Sequence, residues 1–189
     1  MRVLLTGATG LIGRAVLAGL AGEGHAVVAV ARSASAAARL PEAAKCVALD
    51  VGKATSPADW LPHLTGIDAV VNCVGVLQGG LRDDSHRVHV EATAALFSAC
   101  EQARIRVIHI SAIGAEASGP TEFSRRKAQA EQDLARRDVD WVVLRPALVL
   151  AGAVYGGSAM LRAVAAFPGV TPLMSGSSPS SNPPISNPT

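Results

Sequence analysis

The sequence is poor in aromatic residues and has no excess of charge of either sign. Aromatic side chains make up only 3% of the 189 residues, so the core must be aliphatic, and the chain offers few platforms on which nucleic-acid bases could stack. Lysine and arginine total 17 against 15 for aspartate and glutamate, a formal net charge of +2. Because no basic cluster stands out, neither nucleic acid nor a membrane surface is an expected partner.

Cysteine and clustered metal ligands are also scarce. Cys46, Cys73 and Cys100 form an odd set without CxxC spacing. They are predicted to be small buried residues of a protein in a reducing compartment, rather than disulfide, redox or metal-binding residues. The five histidines form no HExxH pattern, so no metal site is expected.

Long uncharged apolar runs are missing as well. Arg14 interrupts the apolar stretch near the N-terminus, which therefore lacks the central region of an export signal. The stretch from Val142 to Leu161 contains Arg145, Pro146 and three glycines, and so makes a poor membrane-spanning helix. We expect a cytoplasmic protein.

Short apolar runs alternate with longer Ala-rich segments of helical period. This pattern predicts an α/β fold, with a doubly wound, Rossmann-like parallel sheet and helices on both faces. The predicted strands are Arg2–Thr6, Ala26–Ala31, Lys45–Leu49, Ala69–Val74, Arg106–Ser111 and Asp140–Arg145. The predicted helices are Leu11–Ala21, Ala34–Leu40, Pro57–Leu64, Arg82–Ala103 and Glu122–Arg137.

The length allows one domain of ordinary size, which we place at residues 1–174. Residues 175–189 contain six serines, four prolines and no charge. Such a segment cannot bury enough apolar surface to offset its ordering entropy. It is predicted to be a disordered tail.

A glycine pattern follows the first predicted strand and opens the first predicted helix. Gly7 permits a tight turn, Gly10 lets the backbone approach a pyrophosphate, and Gly13 lets the helix pack close to the strand. The free N–H groups at the start of the helix attract an anion. The pattern therefore predicts a dinucleotide-binding loop, with a structural Gly-rich turn as the alternative. The predicted loop residues are Gly7, Thr9, Gly10, Leu11, Ile12 and Gly13.

The end of the second predicted strand indicates which coenzyme the site prefers. An NAD site usually has an acidic residue there, which binds the ribose 2′-hydroxyl, whereas this chain has Arg32 and Ser33. A guanidinium beside a hydroxyl suits a 2′-phosphate, so NADP(H) is favoured over NAD(H); the alternative is a solvated loop charge. Arg14 could add a second positive group. Asp50 and Val51 are expected to flank the adenine, with Asp50 accepting from its amino group.

Four motifs resemble those of the short-chain dehydrogenase/reductase superfamily. They are TGATGLIG near the N-terminus, Asp50-Val51, Asn72-Cys73-Val74-Gly75 and Leu144-Arg145-Pro146. Within the superfamily the chain is similar to the atypical and extended members, including NmrA-like proteins and those akin to the NDUFA-type accessory subunit of respiratory complex I. The likeness runs from Met1 to about Leu173. It implies that Cys73, Val74, Gly75 and Pro146 border the coenzyme.

The resemblance also implies a Ser-Tyr-Lys catalytic set. In this set the tyrosine exchanges a proton with the substrate oxygen, and the lysine holds the nicotinamide ribose and lowers the tyrosine pKa. The spacing is kept as Phe123 and Lys127, but a benzene ring has no proton to give. Lys127 is expected to bind the ribose, with a helix-surface lysine as the alternative. Ser111 is the candidate serine, either catalytic or, more in keeping with the Ala112-Ile113 that follows it, facing the coenzyme.

Two other residues are weighed for proton transfer. His89 stands where extended members often have an asparagine, and it is interpreted as a packing residue rather than a proton shuttle. Tyr155, the only tyrosine, follows the sixth predicted strand. It is interpreted as a loop aromatic, with a substitute acid as the alternative.

The composition changes abruptly after Leu173, and all charge disappears after Arg162. We hypothesise that the family-like sequence is truncated or frameshifted near Met174, which translation of the downstream DNA in the other two frames would test. The substrate-binding lobe of extended members would then be missing. The predicted strand around Trp141 would become an uncovered apolar edge that favours self-association.

These observations predict an NADP(H)-binding oxidoreductase-like protein that transfers hydride to or from a small carbonyl or alcohol. The alternative is a non-catalytic dinucleotide-binding sensor or assembly subunit, because Phe123 replaces the expected tyrosine. An epimerase or dehydratase with tightly held NAD is disfavoured by Arg32 and by the same replacement.

Overall fold

A computed structural model describes residues 1–41, 45–75, 86–147, 149 and 185–186. One sheet has the strand order β3-β2-β1-β4-β5-β6-β7. The first six strands are parallel to their neighbours, and β7 is antiparallel to β6. The strands are β1 (Arg2–Thr6), β2 (Ala26–Ala31), β3 (Lys45–Ala48), β4 (Ala69–Asn72), β5 (Arg106–Ile110), β6 (Trp141–Leu144) and β7 (Ile185–Ser186). The predicted doubly wound α/β fold is confirmed.

Five α-helices connect the parallel strands in the described part of the chain. They are α1 (Leu11–Gly22), α2 (Ala34–Ala37), α3 (Pro57–Leu64), α4 (Ala92–Ala103) and α5 (Glu122–Ala135). A 3₁₀ turn covers Val51–Lys53, and a π-helical turn, Arg87–Glu91, leads directly into α4. In the described residues no helix is both long and apolar enough to cross a membrane.

The central strands β1, β2, β4 and β5 are buried on both faces, as their continuous apolar sequences require. In β1, Leu4 points into a cluster with Trp60 of α3 and Phe97 of α4, while its neighbour Leu5 points to the opposite face and packs with Leu17 of α1. The alternation of side chains along the strand thus contributes to two apolar layers, and the one that contains Trp60 and Phe97 is not purely aliphatic as the composition predicted. These layers hold the carboxyl ends of the strands in a common edge.

The strand order reverses beside β1, which lies between β2 and β4. In open α/β sheets a crevice forms at such a switch point, outside the carboxyl ends of the strands, and ligands bind there. The loop after β1 and the loop after β4 both open at this crevice. A ligand site is therefore expected at this edge of the sheet.

β4 ends two residues before the predicted position. The side chain of Asn72 explains this, because its Oδ1 accepts a hydrogen bond from the N–H of Val74 at 3.2 Å. This Asx turn bends the chain away from the sheet.

The helix predicted over Arg82–Ala103 also differs from the structure. Residues 82–85 lie outside the described residues. Arg87–Glu91, predicted as α-helix, forms the π-helical turn instead. The hydroxyl of Thr93 donates to the carbonyl oxygen of Val88, five residues earlier, at 2.8 Å. A hydrogen bond of this span supports the wider turn, which the apolar periodicity cannot reveal.

Two expectations need correction and others fall outside the described residues. Cys46 is exposed rather than buried, because β3 is an edge strand. The prediction that the tail would leave β6 as an uncovered edge is also corrected, because Ile185–Ser186 pairs with Val142 and Val143 of β6. The predicted disorder of the tail stays a prediction. The backbone groups of β6 that do not pair with β5 are the hydrogen-bonding partners of Ile185–Ser186. The edge of the sheet at β6 is therefore partly covered. Tyr155 and the rest of residues 175–189 lie outside the described residues.

Candidate functional site

Two of the three glycines after β1, Gly7 and Gly13, leave no room for side chains. Gly7 has a φ of +67°, and a Cβ there would lie 2.7 Å from the carbonyl oxygen of Cys73. At Gly13, a Cβ would overlap the carbonyl oxygen of Gly7 and come within 2.9 Å of the Cα of Ala8. The first turn of α1 therefore packs directly on the loop, as the glycine spacing predicts.

The start of α1 is open to an anion. Gly10 is the N-cap and has no side chain to cap the first N–H groups, and its own N–H donates to the carbonyl oxygen of Gly7 at 2.9 Å. No acidic residue occupies the first turn. The N–H groups at the start of α1, which include those of Leu11 and Ile12, thus form the positive end of the helix dipole without a competing carboxylate.

The loops after β2 and β3 carry the side chains predicted for the adenosine end. Arg32 is exposed. Ser33 caps α2 by accepting from the N–H of Ala36 at 3.2 Å. Asp50 caps the 3₁₀ turn by accepting from the N–H of Gly52 at 3.2 Å through Oδ1. Both capping side chains are held by their own turns, so their positions are fixed by local hydrogen bonds.

Lys127 lies at the centre of the site. Thr121 caps α5 by accepting from the N–H of Ser124 at 3.1 Å, and the helix that follows carries Lys127 to the sheet edge. The side chain is only 3% exposed. Its Nζ donates to the carbonyl oxygen of Ile110 at 2.9 Å and to that of Val74 at 3.3 Å. The alternative of a helix-surface lysine is therefore wrong.

Burial changes the acidity of this ammonium group. Desolvation lowers the pKa of Lys127 to about 8, and the nearby Cys73 and Glu131 oppose the shift without cancelling it. Desolvation also raises the pKa of the Cys73 thiol to about 12. Cys73 is therefore neutral at physiological pH and provides no full counter-charge.

The aromatic ring at the expected tyrosine position contacts two titratable side chains. Phe123 is half-buried, and its ring centroid lies 5.9 Å from Nζ of Lys127, one helical turn later. The ring of His89 meets Phe123 edge-on, with 5.6 Å between centroids. His89 is 3% exposed and lies in the π-helical turn, so it is packed in the site, as predicted.

A buried polar chain underlies the site, and the sequence reasoning missed it. Thr6 Oγ1 donates to Asn72 Oδ1 at 2.7 Å, and Asn72 Nδ2 lies 3.2 Å from Nδ1 of His109. Desolvation, followed by the charges of Lys127 and His89, lowers the pKa of His109 well below its usual value. The available signal was one polar residue near the end of each of three adjacent apolar strands.

Ser111 follows β5 and lies beside Ile110, whose carbonyl oxygen accepts from Lys127. It is 4% exposed, and its hydroxyl has no hydrogen-bond partner among the described residues. A buried hydroxyl without a partner is costly unless a ligand satisfies it. The geometry is consistent with the predicted position facing a coenzyme.

A cleft of about 400 Å³ opens between the first turn of α1 and the carboxyl ends of β5 and β6. It brings together two residues predicted separately, Ile12 from the glycine loop and Pro146 from the loop after β6. Arg145, on its rim, is held by Glu131 of α5, with Nε 3.0 Å from Oε1. The mostly apolar lining suits a flat heteroaromatic ring.

The sequence match agrees with this geometry. Residues 7–164, most of the chain, match the family described as NAD(P)H-binding. The chain belongs to the NAD(P)H-binding family. Its fold and family place this NAD(P)H-binding domain among atypical proteins of the short-chain dehydrogenase/reductase type, which confirms the resemblance drawn from the sequence.

Solved structures share the fold at low sequence identity. A short-chain dehydrogenase/reductase superfamily protein from Agrobacterium tumefaciens with bound NAD aligns with a TM-score of 0.65 and 20% identity, over 77% of this chain and 48% of that chain. The oxidoreductase YlbE from Lactococcus lactis aligns with a TM-score of 0.66 and 22% identity, over 82% and 73%.

A curated relative is much longer than this NAD(P)H-binding domain. An uncharacterized protein of Mycobacterium tuberculosis is 30% identical over 150 residues, which is 79% of this chain. The chain spans 15% of that relative's length.

The described residues fit a nicotinamide dinucleotide. The loop in which Gly7 and Gly13 exclude side chains lets the backbone approach a diphosphate, the uncapped start of α1 supplies N–H donors, and the cleft beside Pro146 has space for a ring. The unpartnered hydroxyl of Ser111 supplies one further polar group.

Proposed function

We propose that this NAD(P)H-binding chain prefers NADP(H) and transfers hydride between the nicotinamide and a small carbonyl or alcohol. The observation that carries the proposal is the meeting, at one sheet edge, of the open helix start, the apolar cleft and buried Lys127. The start of α1 would bind the diphosphate, and the apolar cleft would bind the nicotinamide. Lys127 supplies the polar group expected beside a reacting oxygen or a ribose.

The preference for NADP(H) rests on the end of β2. Arg32 is exposed beside Ser33 and has no salt bridge to an acidic residue in the described ranges. It is therefore available to a 2′-phosphate, which accepts strong charge-assisted hydrogen bonds from a guanidinium. An acidic residue that would bind the 2′-hydroxyl of NAD is missing at this strand end.

The chain's own residues would divide the work as follows. The coenzyme, when bound, supplies the hydride donor or acceptor. The glycine loop would hold the diphosphate, Ile12 and Pro146 would exclude water from one face of the nicotinamide, and Lys127 would bind oxygen atoms of the ribose or substrate. Ser111 would donate to or accept from a group of the bound molecule.

A second candidate function is a non-catalytic coenzyme-binding module. Phe123 favours it, because the ring between His89 and Lys127 has no hydroxyl to exchange a proton with a substrate. Both candidates predict coenzyme binding, and they differ in whether the wild-type protein turns over a substrate.

Coenzyme preference is tested by calorimetric titration of the purified chain with NADPH and with NADH. We expect NADPH to bind more tightly, and Arg32→Asp to weaken NADPH binding by about 10- to 100-fold, the value of a hydrogen bond to a charged group. Arg39→Asp, at an exposed arginine eight residues from the end of β2, is the matched control for the charge change. Equal weak binding of both coenzymes would refute the assignment of Arg32.

Catalysis is tested by following NADPH oxidation with a panel of small aldehydes and ketones. Turnover by the wild-type protein supports hydride transfer. Turnover that appears only in Phe123→Tyr supports the non-catalytic module, because a general acid typically contributes about 10²- to 10⁴-fold in rate. Phe123→Leu is the control, since it changes the ring without adding a hydroxyl.

A further inference from the structure

Carbonyl reduction requires a proton at a defined place. When hydride reaches the carbonyl carbon, the oxygen gains an electron pair and must be protonated. Phe123 cannot supply this proton. Among the described residues, the titratable side chains that contact its ring are Lys127, at 5.9 Å from Nζ to the centroid, and His89, at 5.6 Å between centroids.

The side chains of Lys127 and His89 also lie close to the same position, the one that a Cβ would occupy on Gly75. A Cβ built on Gly75 would lie 3.7 Å from Nζ of Lys127 and 3.7 Å from Cε1 of His89. At this point His89 presents a carbon atom of its ring, whereas Lys127 presents its ammonium group. Nζ of Lys127 is thus the nitrogen nearest to the position that Gly75 leaves open.

Two hydrogen bonds orient the ammonium group. The carbonyl oxygens of Ile110 and Val74 accept from Nζ at 2.9 and 3.3 Å. An ammonium group has three N–H donors, and no other described residue accepts the third. Because Ile110 ends β5 and Val74 follows the adjacent strand β4, they fix Nζ at the sheet edge and leave one proton for a bound molecule.

Burial makes this proton easy to transfer, because the neighbouring groups do not offset the desolvation of the ammonium group. Glu131, one turn along α5, is engaged by Arg145. The thiol of Cys73 stays protonated because burial raises its pKa, and His109 stays neutral because burial lowers its pKa. Desolvation by burial therefore lowers the pKa of Lys127 to about 8, in the range suited to a general acid near neutral pH. His89 is the remaining titratable neighbour.

We propose that Lys127 is the proton donor to the substrate oxygen, in place of the missing aromatic hydroxyl. This inference rests on the proposed hydride transfer. In reduction, the carbonyl carbon would receive a hydride, and with it two electrons, that the bound reduced coenzyme would supply. The C=O π pair forms an O–H bond with a proton from Nζ. The amine that remains is reprotonated by water, and the product is an alcohol.

The first test needs no substrate. The chain has three lysines, so a protein labelled with [ε-¹³C]lysine gives three NMR signals, and loss of one in Lys127→Arg assigns it. We expect that signal to titrate with a midpoint near pH 8 in the wild-type protein and to shift when NADP⁺ is added. A midpoint above about pH 10, the ordinary value for lysine, overturns the proposal.

The second test separates charge from proton donation. Arginine keeps the positive charge and the donors but does not release a proton in proteins. We expect Lys127→Arg to bind NADPH within about tenfold of the wild-type protein, while NADPH oxidation with the carbonyl panel falls by about 10²- to 10⁴-fold. Lys127→Gln, which has a smaller and neutral side chain, is expected to lose turnover to the same extent. It is the control for the case in which arginine is too large for the site.

The pH profile completes the test. Wild-type turnover is expected to fall as pH rises through about 8, because the deprotonated amine has no proton to donate. Turnover retained in both variants, or a profile flat to pH 10, overturns the proposal. NADPH binding without turnover of any carbonyl overturns it too and leaves the coenzyme site in place, whereas failure to bind NADPH overturns the proposed function itself.

Discussion

The buried charge of Lys127 is expected to destabilise the fold, and its removal by Lys127→Met should make the protein more stable at pH 7. The side chain is 3% exposed, and methionine has a similar shape without the charge. Desolvation holds the pKa near 8 in the folded protein against an ordinary value of 10.5. At pH 7 the charged ammonium form therefore lowers the free energy of unfolding.

The magnitude follows from the pKa shift. One pKa unit corresponds to about 1.4 kcal/mol, so the shift costs the folded state about 3 kcal/mol at pH 7. Methionine leaves the carbonyl oxygens of Ile110 and Val74 without a donor, at a cost of about 1 kcal/mol each. The net expectation is a gain of about 1 kcal/mol in the free energy of unfolding at pH 7.

The pH dependence gives the sharper result. Between pH 8 and 10.5 the unfolded chain keeps the lysine proton that the folded chain has lost, so wild-type stability rises with pH through this window. Lys127→Met lacks this contribution. Between pH 7 and pH 9.5 the wild-type protein should therefore gain about 2 kcal/mol relative to the variant, enough to reverse their order.

Urea denaturation followed by circular dichroism at the two pH values measures this difference. The variant Lys53→Met, at an exposed lysine, gives the baseline for the loss of one positive charge. A wild-type minus Lys127→Met difference that stays constant from pH 7 to pH 9.5 would show that the ammonium is not desolvated, and the electrostatic reasoning about the site would fail with it.

Two further predictions concern the coenzyme loop and a buried hydroxyl. Gly13→Ala should lower the free energy of unfolding by at least about 2 kcal/mol and abolish NADPH binding, because its Cβ would overlap backbone; Gly19→Ala, on the same helix with open space around it, should raise stability by up to about 1 kcal/mol. Equal effects of the two in urea denaturation would contradict the close packing. Ser111→Ala should stabilise the coenzyme-free protein by about 1 kcal/mol, since it removes an unpartnered hydroxyl, and should weaken NADPH binding in calorimetry. Unchanged binding would place Ser111 away from the coenzyme.

The fold could be predicted from the sequence because its signals are local. The apolar runs give β1 and β2 with their observed bounds, and the helix predicted over Pro57–Leu64 has the observed bounds of α3. The differences arise where a side chain competes with the backbone pattern. Asn72 ends β4 through its own hydrogen bond to Val74, an effect that strand propensity does not include.

The candidate site could be predicted only in part, for the same reason. The glycine spacing alone indicated the loop, because each glycine has a steric purpose that the structure confirms at Gly7 and Gly13. The burial of Lys127 could not be predicted, since it depends on one carbonyl oxygen at the end of β5 and another in the loop after β4. The link from Thr6 through Asn72 to His109 joins residues up to 103 positions apart, and no local pattern encodes it.

Binding and chemistry depend on different parts of this molecule. The coenzyme loop is built from main-chain geometry, so its fit depends on Gly7 and Gly13 and is insensitive to the residue at position 123. Proton transfer depends on side chains, and the change from tyrosine to Phe123 removes a single oxygen atom. A chain can therefore lose the usual acid and keep its coenzyme site unchanged. In such a chain a buried lysine of lowered pKa matters most, because desolvation destabilises its charged form whether or not a substrate is present, and a substrate oxygen can use the proton that the fold already holds weakly.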